Sequence, residues 1–270
     1  MGIGEGRNMT ITAIANLKGG VGKTVVAGGL AHAAAATGRT ILLVDADTQG
    51  NSTKHLTGYT TSEPSPHSLA DVLDRQTDLP MRDAIVAARR EEIHVVPSGF
   101  AELQAVSDQL GTKPGGEMSF ARALKPVSGD YEHILIDCRP AIDLISRSAL
   151  YAADNVLIVV NPEGDAVDGL NSLQNALEDL AEYMDKVLPV AGIVVNKNDG
   201  RRNDHADTIN FLKEYGAVDG IALLGDPIMH KGDISKLTNV GMGFDEHPSN
   251  PVWSRNLHTN FIEILEKVAL

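Results

Sequence analysis

Short apolar runs at intervals along the sequence are the feature that most constrains how this 270-residue chain can fold. Each run is too short for a helix and is bounded by polar residues, which is typical of strands buried on both faces of a sheet. The predicted strands are Thr10–Asn16, Thr40–Asp45, Ile93–Val96, His133–Asp137, Asn155–Val160, Val190–Val195 and Gly220–Leu224.

Helical patterns separate these runs. They cover Val25–Thr37, Leu69–Leu73, Ala101–Leu110, Asp143–Tyr151, Gly169–Met184, Asp204–Tyr215 and Asn256–Leu270. Strands that alternate with helices of this length predict right-handed βαβ crossovers, and therefore an α/β fold with a mostly parallel, twisted sheet flanked by helices on both faces. We expect a flexible N-terminus over residues 1–9 and a single domain over 10–270, with surface loops at Thr60–Pro66 and Gly111–Gly116.

Composition excludes several classes of protein. The chain has 23 Lys and Arg against 36 Asp and Glu, a net charge of −13, which argues against a surface coated in basic residues but not against a local basic patch. One cysteine, Cys138, rules out a disulfide scaffold and suits a reducing cytoplasm. No apolar run approaches the roughly 20 residues that span a bilayer, and the nine histidines are too isolated to suggest a metal site.

The segment Leu17–Thr24 (LKGGVGKT) carries the strongest functional signal. It follows a predicted strand and precedes a helix, and its three glycines allow consecutive backbone N–H groups to surround phosphate oxygens. Lys23 would supply a positive charge to the outer phosphates, and the Thr24 hydroxyl is a hard oxygen ligand for Mg²⁺. The general phosphate-loop pattern has glycine where this chain has Leu17, and Lys18 is an additional lysine.

Carboxylates follow two of the predicted strands. Asp45 and Asp47 end the second strand, and Asp137 ends the strand Ile134–Ile136. Carboxylates at a buried strand end repel one another unless a cation or hydrogen bonds offset the charge, and Mg²⁺ bound to a nucleotide would do so. A calcium loop starting at Asp45 is excluded because its twelfth position is Leu56 rather than glutamate. Asn196, after another strand, could either hydrogen-bond a purine edge or cap the strand end.

Taken together, KGGVGKT with its additional lysine, VDADTQGN and ILIDCRP resemble the deviant Walker-A ATPases of the ParA/MinD group, most closely the short, Soj-like ParA proteins. The resemblance runs from about Thr10 through the C-terminal helix. It implies a P-loop NTPase fold with ATP and Mg²⁺ as cofactors. The nucleotide-binding residues that it implies are Lys18, Gly19, Gly20, Val21, Gly22, Lys23, Thr24, Val25, Asn196 and Pro227.

The same resemblance implies a role for individual side chains. Lys18 would reach across a dimer to the ATP of the partner, and Asp47 would position the attacking water. Thr24 would ligate Mg²⁺ and Asp137 would hold the ion through water, and Asp47 is the third residue of the metal site that the resemblance implies.

The base-binding roles also come from the resemblance, which implies that Asn196 would read adenine and that the Pro227 loop would pack on the base. The sequence departs from the family at Thr48, where proline is usual, and at Cys138–Arg139, which replaces Thr-Pro. The second departure leaves open how this segment senses the γ-phosphate.

Among the branches of the family, the iron–sulfur carriers need more cysteines, and the MinD branch ends in a basic amphipathic helix. Here the charges of Asn256–Leu270 sum to −1, so we expect this helix to dock on its own domain. The partition branch remains, in which an ATP-bound homodimer binds DNA without sequence preference and a ParB-type centromere-binding protein stimulates hydrolysis. The candidate DNA contacts are Arg201, Arg202, Lys231 and Lys236.

The predicted function is therefore plasmid or chromosome partition by a cytoplasmic ATPase that associates with the nucleoid when ATP is bound. Two alternatives stay open at the level of sequence. One is a ParA-like module that positions a protein cargo, and the other is a MinD-like ATPase that associates with the membrane at the division site.

Overall fold

The computed structural model describes residues 9–77, 79–112, 114–164 and 166–269, apart from the side chain of Asp219. The predicted flexible N-terminus, residues 1–9, falls almost entirely outside the described residues. Within them the chain forms an α/β fold in which helices cover both faces of one sheet, so the predicted fold class is confirmed.

The sheet has seven strands among the described residues, in the order β3-β4-β2-β5-β1-β6-β7. All neighbouring strands are parallel except β3, which pairs antiparallel with β4 at one edge. The carboxyl ends of β2, β5, β1, β6 and β7 therefore meet at one edge of the sheet, where ligands bind in sheets of this kind. The strands are β1 (Thr10–Ala15), β2 (Ile41–Ala46), β3 (Val86–Ala87), β4 (Ile93–Val96), β5 (His133–Cys138), β6 (Asn155–Val160) and β7 (Val190–Val195).

Helices connect the strands, and four short 3₁₀ turns lie between them in the described chain. The helices are α1 (Lys23–Ala36), α2 (Asn51–Thr57), α3 (Leu69–Leu73), α4 (Ala101–Gly111), α5 (Ser119–Leu124), α6 (Leu144–Ala152), α7 (Ala166–Met184), α8 (Asn203–Asp219), α9 (Gly232–Asn239) and α10 (Val252–Val268). None of these helices combines the length and the apolar composition that crossing a lipid bilayer requires.

Side chains alternate between the two faces of the sheet, as the period of a strand demands. In β1, Ile11 and Ala13 face the layer formed by α3 to α8, whereas Ile14 faces α1, α9 and α10. On the second face the ring of Phe261 from α10 lies directly over Gly29 of α1, where any larger residue would collide with it. The apolar residues of α10 are thus buried within the domain, which confirms the expected docking of the C-terminal helix.

One predicted strand is wrong. Gly220–Leu224 makes only a single parallel bridge, between Leu223 and Ile193 of β7. Gly220 ends α8 in a left-handed conformation with φ 71°, and Gly225 turns the chain away again with φ 66°. The extended stretch between these two glycines is too short for a ladder, although its backbone donates one hydrogen bond to β7 and accepts one from it. The short elements β3, α2, α5 and α9 were not predicted.

Candidate nucleotide-binding site

The glycine-rich loop joins β1 to α1 at the carboxyl edge of the sheet, as the sequence predicted. Gly20 and Gly22 adopt left-handed backbone conformations with φ 73° and φ 93°, which side-chain-bearing residues rarely adopt. Gly22 caps the N-terminus of α1, and a Cβ at this position would lie 2.0 Å from Nδ2 of Asn196. Gly19 is exposed, whereas Val21 is buried and Val25 packs partly against the core. The glycines therefore set the backbone conformation of the loop, and Asn196 leaves no room for a side chain at Gly22.

The two lysines of the loop occupy different environments. Lys23 is buried, and its Nζ donates to the carbonyl oxygens of Asn16 at 3.0 Å and Lys18 at 3.5 Å. Burial lowers the pKa of Lys23, and the nearby Asp137 carboxylate acts against that shift. Lys18 instead directs its Nζ along the surface to Oε2 of Glu163, 2.9 Å away on the loop after β6. Lys23 therefore belongs to the interior of the loop, and Lys18 belongs to its outer rim.

Asp137 lies at the end of β5, directly opposite Asp45 in the register of β5 with β2. Its Oδ2 accepts hydrogen bonds from Oγ1 of Thr24 and Oγ of Ser52, each at 2.8 Å. Burial raises the pKa of Asp137, and burial together with the Asp137 charge raises the pKa of Asp45. A cluster of buried carboxylate and hydroxyl oxygens fits a hard divalent cation such as Mg²⁺, whose charge would relieve the repulsion.

Asp45 and Asp47 take different roles although they are two residues apart. The Oδ2 of Asp45 accepts from both the backbone N and Oγ1 of Thr53 at 2.7 Å, which ties β2 to α2. Its other oxygen accepts from the backbone N of Asp47 at 3.2 Å. Asp47 itself is only partly buried, and its Oδ1 accepts from the backbone N of Gln49 in a tight turn through Thr48. Asp45 therefore positions the turn that presents Asp47.

Asn196 follows β7 and is 3% exposed. Its Nδ2 donates to the carbonyl oxygen of Val21 at 2.8 Å, and its backbone N donates to Val160 at 2.7 Å. Pro227 lies close by because the next residue, Ile228, donates its backbone N–H to Val195 at 2.8 Å. The structure thus brings Asn196 and Pro227 to the same corner of the site, and their contacts with a base stay predictions.

Arg139, which follows the Asp137 strand, does not point into the phosphate loop. Its Nη1 donates to Oδ2 of Asp143 at 2.5 Å and to Oε1 of Gln104 at 2.7 Å, so it links α4 to the start of α6. Cys138 is buried in the apolar core, as expected of a lone cysteine, and burial raises the pKa of its thiol to about 12. The segment after Asp137 is therefore held by packing and by an ion pair.

The candidate DNA contacts lie on two neighbouring segments, the loop after β7 and the start of α9, which a bridge between Asn198 and Met229 joins. Each candidate is paired with an acid. Arg201 pairs with Asp199, Arg202 with Asp204, and both Lys231 and Lys236 with Asp233. Ion pairs between exposed groups are weak, so these pairs would not prevent binding to phosphates. The role of the four residues stays a prediction.

Sequence reasoning missed three side chains of the site. Glu163 and Lys197 could not be found because their partners, Lys18 and Gly20, lie far away in the sequence; Nζ of Lys197 donates to the carbonyl oxygen of Gly20 at 2.5 Å. Ser52 could have been found, since it follows the Asp45–Asp47 pair closely and has a hydroxyl suited to a carboxylate.

Comparison with known proteins gives the family. The AAA domain family matches residues 9–190, which is more than half of the chain. The sporulation initiation inhibitor protein Soj of Bacillus subtilis is 34% identical, with 76% of this chain and 79% of Soj covered. The chromosome partitioning protein ParA of Caulobacter vibrioides (strain NA1000 / CB15N) is also 34% identical, with 82% of this chain and 78% of ParA covered.

A solved structure agrees on the fold. The ATP complex of a single-residue variant of Cyanothece McdA superposes with a TM-score of 0.84 at 23% identity, covering 97% of both chains. One conclusion follows from the match over residues 9–190, from the two relatives and from the glycine-rich loop with its additional lysine, Lys18. The chain belongs to the ParA/MinD family of P-loop ATPases and is of the Soj-like type.

Proposed function

We propose that this protein is a Mg²⁺-dependent ATPase that dimerises on ATP, binds DNA without sequence preference and drives plasmid or chromosome partition. A ParB-type centromere-binding protein would stimulate its hydrolysis, and the ATP-bound form would associate with the nucleoid. The proposal goes beyond family membership in two respects. It names DNA and a ParB-type protein as partners, and it states that ATP controls dimerisation.

The observation that carries the proposal is the difference in position between Lys23 and Lys18. Lys23 is buried beneath the loop, whereas Lys18 has a 25% exposed side chain on the rim and pairs with Glu163. A lysine on the rim can leave its partner and reach a phosphate held by a second protomer. In that arrangement each nucleotide is enclosed only when two chains meet, so ATP controls the monomer–dimer equilibrium.

The residues around the loop have matching roles. Thr24 and Asp137 would hold Mg²⁺, which supplies charge neutralisation between the phosphates. Asp47 would orient the attacking water from the turn that Asp45 fixes. Lys18 of the opposite protomer would stabilise the charge that develops in the transition state, an effect worth roughly 10³–10⁵ in rate when an arginine provides it.

DNA binding rests on the two neighbouring basic segments. A dimer would present Arg201, Arg202, Lys231 and Lys236 twice, and each phosphate that they neutralise releases counterions. Retention on DNA should therefore require ATP. It should also fall steeply as salt is raised from about 0.1 to about 0.5 M, a change that shortens the Debye length roughly twofold.

Packing of α10 counts against the membrane-associated alternative. The helix buries its apolar residues against α1 and the 3₁₀ turn Phe244–Glu246, with Phe261 stacked on Phe244 at 5.5 Å between ring centroids. An amphipathic helix that binds lipid needs that face for the bilayer. No comparable observation favours the cargo-positioning alternative.

The Lys18→Ala variant tests the proposal. We expect ATP to bind the monomer with little change, because Lys18 does not line the interior of the loop, and we expect turnover stimulated by partner and DNA to fall by about 10³ or more. The matched control is Lys125→Ala, which removes an exposed lysine between α5 and the amino end of β5. Stimulated turnover that survives in Lys18→Ala would refute the role of Lys18 in the opposite site.

A further inference from the structure

Phe100, in the segment between β4 and α4, has a strained backbone. Four non-glycine residues of the described chain have a positive φ, and Phe100 is the buried one among them. Its φ of 52° and ψ of −121° lie in a region that glycine adopts readily and bulky residues avoid. The residue is 6% exposed, yet it belongs to neither of the two apolar clusters that cover the faces of the sheet. Packing in the core therefore does not explain why an aromatic residue occupies this position.

The ring of Phe100 lies against the turn that follows β2. A Cβ on Gly50 would lie 2.2 Å from Cε1 and 2.6 Å from Cδ1 of the ring, so the ring occupies the space that a side chain at Gly50 would need. Gly50 ends this turn, because its backbone N donates to the carbonyl oxygen of Asp47 at 2.9 Å and its φ of 61° caps the N-terminus of α2. The ring therefore covers the last residue of the turn that carries Asp47.

Lys54 joins the ring to the same turn. Its Nζ lies 5.5 Å from the centroid of the Phe100 ring and donates to the carbonyl oxygen of Gln49 at 2.7 Å. An ammonium group over an aromatic face is attracted by the electron density of the ring. Two successive residues of the turn are thus contacted, Gln49 by Lys54 and Gly50 by the ring itself.

Hydrogen bonds on either side of Phe100 fix the direction of its side chain. The N–H of Phe100 donates to Oγ of Ser98 at 2.9 Å, and its carbonyl oxygen accepts from the N–H of Leu103 in α4. The N–H of Ser98 donates to Oγ1 of Thr53 at 3.0 Å, and that hydroxyl donates to Asp45. A strained conformation persists only where its surroundings hold it, and such residues concentrate at functional sites. The segment is therefore attached to the residues after β2 by its backbone as well as by the ring.

We propose that Phe100 is a positioning residue for hydrolysis, because its ring holds the turn that presents Asp47 to the attacking water. The strained backbone is retained because it directs the ring at Gly50. The inference rests on the role of Asp47 in the proposed function and adds to it a residue from a strand end that carries none of the nucleotide-binding motifs. Displacing an orienting group by about 1 Å can lower a rate about 10²-fold, whereas the phosphates are bound by a different segment, Leu17–Thr24.

Variants of the full chain test the inference. ATP affinity would be measured by titration and basal turnover by phosphate release, both with Mg²⁺ and without DNA or partner protein. Phe100→Ala and Phe100→Gly both remove the ring, and each should lower turnover about 10- to 100-fold while ATP affinity stays within about threefold. The matched control, Phe211→Ala, removes an exposed aromatic side chain from α8 and should change neither quantity.

The two Phe100 variants separate positioning from folding. Glycine adopts the backbone conformation of residue 100 without strain and alanine does not, so Phe100→Gly should unfold at a higher urea concentration than Phe100→Ala. Positioning by the ring predicts that turnover is equally low in both variants despite this difference in stability. Turnover that recovers in Phe100→Gly together with stability would assign Phe100 to folding and refute the inference.

The remaining outcomes separate the inference from the proposed function. Unchanged turnover in both Phe100 variants, or an ATP affinity that falls as far as the turnover, would overturn the role of Phe100 and leave the ATPase intact. Asp47→Asn, measured beside them, should lose turnover while it still binds ATP. Wild-type turnover in Asp47→Asn would overturn the role of Asp47 and the inference with it.

Discussion

Replacing Gly22 by alanine tests the rigidity of the phosphate loop most sharply. The new Cβ would lie 2.0 Å from Nδ2 and 3.3 Å from Cγ of Asn196, far inside van der Waals contact. Asn196 cannot retreat freely, since it is buried and bonded through its backbone to Val160 and through its side chain to Val21. The alanine must therefore both adopt φ 93° and break the contact that supports the loop.

The magnitude follows from these two costs. A left-handed conformation costs a residue with a side chain roughly 1–2 kcal/mol, and a buried hydrogen bond left broken costs roughly 1–3 kcal/mol. We expect the free energy of unfolding to fall by about 2–5 kcal/mol, the sum of the two. If the loop must return to its native geometry to hold phosphates, every 1.4 kcal/mol of strain lowers the affinity for ATP about tenfold.

Urea unfolding followed by circular dichroism, together with ATP titration, measures both effects. Gly28→Ala is the matched control, because Gly28 lies in α1 and a Cβ added there would have nothing within 4 Å. Alanine there should stabilise the protein by about 0.5–1 kcal/mol through helix propensity. A Gly22→Ala protein with wild-type stability and wild-type ATP affinity would refute the claim that Asn196 fixes the loop.

Two further predictions concern α1. Gly29→Ala should destabilise the protein by about 1–3 kcal/mol in urea unfolding, because its Cβ would meet the Phe261 ring at 2.5–2.7 Å. Adding Phe261→Leu to the same chain should recover part of the lost stability. An unchanged urea midpoint in Gly29→Ala would contradict this packing. Burial lowers the pKa of His32 to about 4. Between about pH 6.5 and about pH 4 the unfolded chain therefore binds a proton at this residue that the folded chain does not bind. The free energy of unfolding should fall as pH falls through this range, by up to about 3 kcal/mol. His32→Gln should flatten that dependence relative to wild type in urea unfolding at about pH 7 and about pH 4.5, and parallel curves for the two proteins would contradict it.

The sequence predicted the elements whose signals are local. The run Asn155–Val160 is bounded by the polar residues Asp154 and Asn161 and matches β6 residue for residue, and Ile93–Val96, which lies between Glu92 and Pro97, matches β4 in the same way. Elements without such a signal were missed. Helix α2, for example, begins at the left-handed Gly50 and has only seven mostly polar residues, so it shows no apolar period.

The residues of the site also divide into those with a local sequence signal and those without one. The glycine loop and the carboxylates at strand ends are visible in sequence because each motif is contiguous and the parallel topology brings them to one edge. The pairing of Lys18 with Glu163 joins residues 145 positions apart. Nor could the sequence show that Asn196 donates its amide N–H to Val21, because that bond depends on where β7 lies relative to the loop. Motifs predicted the chemistry, whereas the tertiary contacts decide which side chains remain available.

Control of pairing by the nucleotide is the central claim, and light scattering tests it most directly. The variant Asp47→Asn, which should bind ATP without hydrolysing it, would be measured with saturating ATP and Mg²⁺, with ADP, and without nucleotide. We predict twice the 28.7 kDa mass of one chain with ATP and the single-chain mass otherwise, and a shift back toward the single chain when Lys18→Ala is added. A single-chain mass at saturating ATP would contradict nucleotide-controlled pairing.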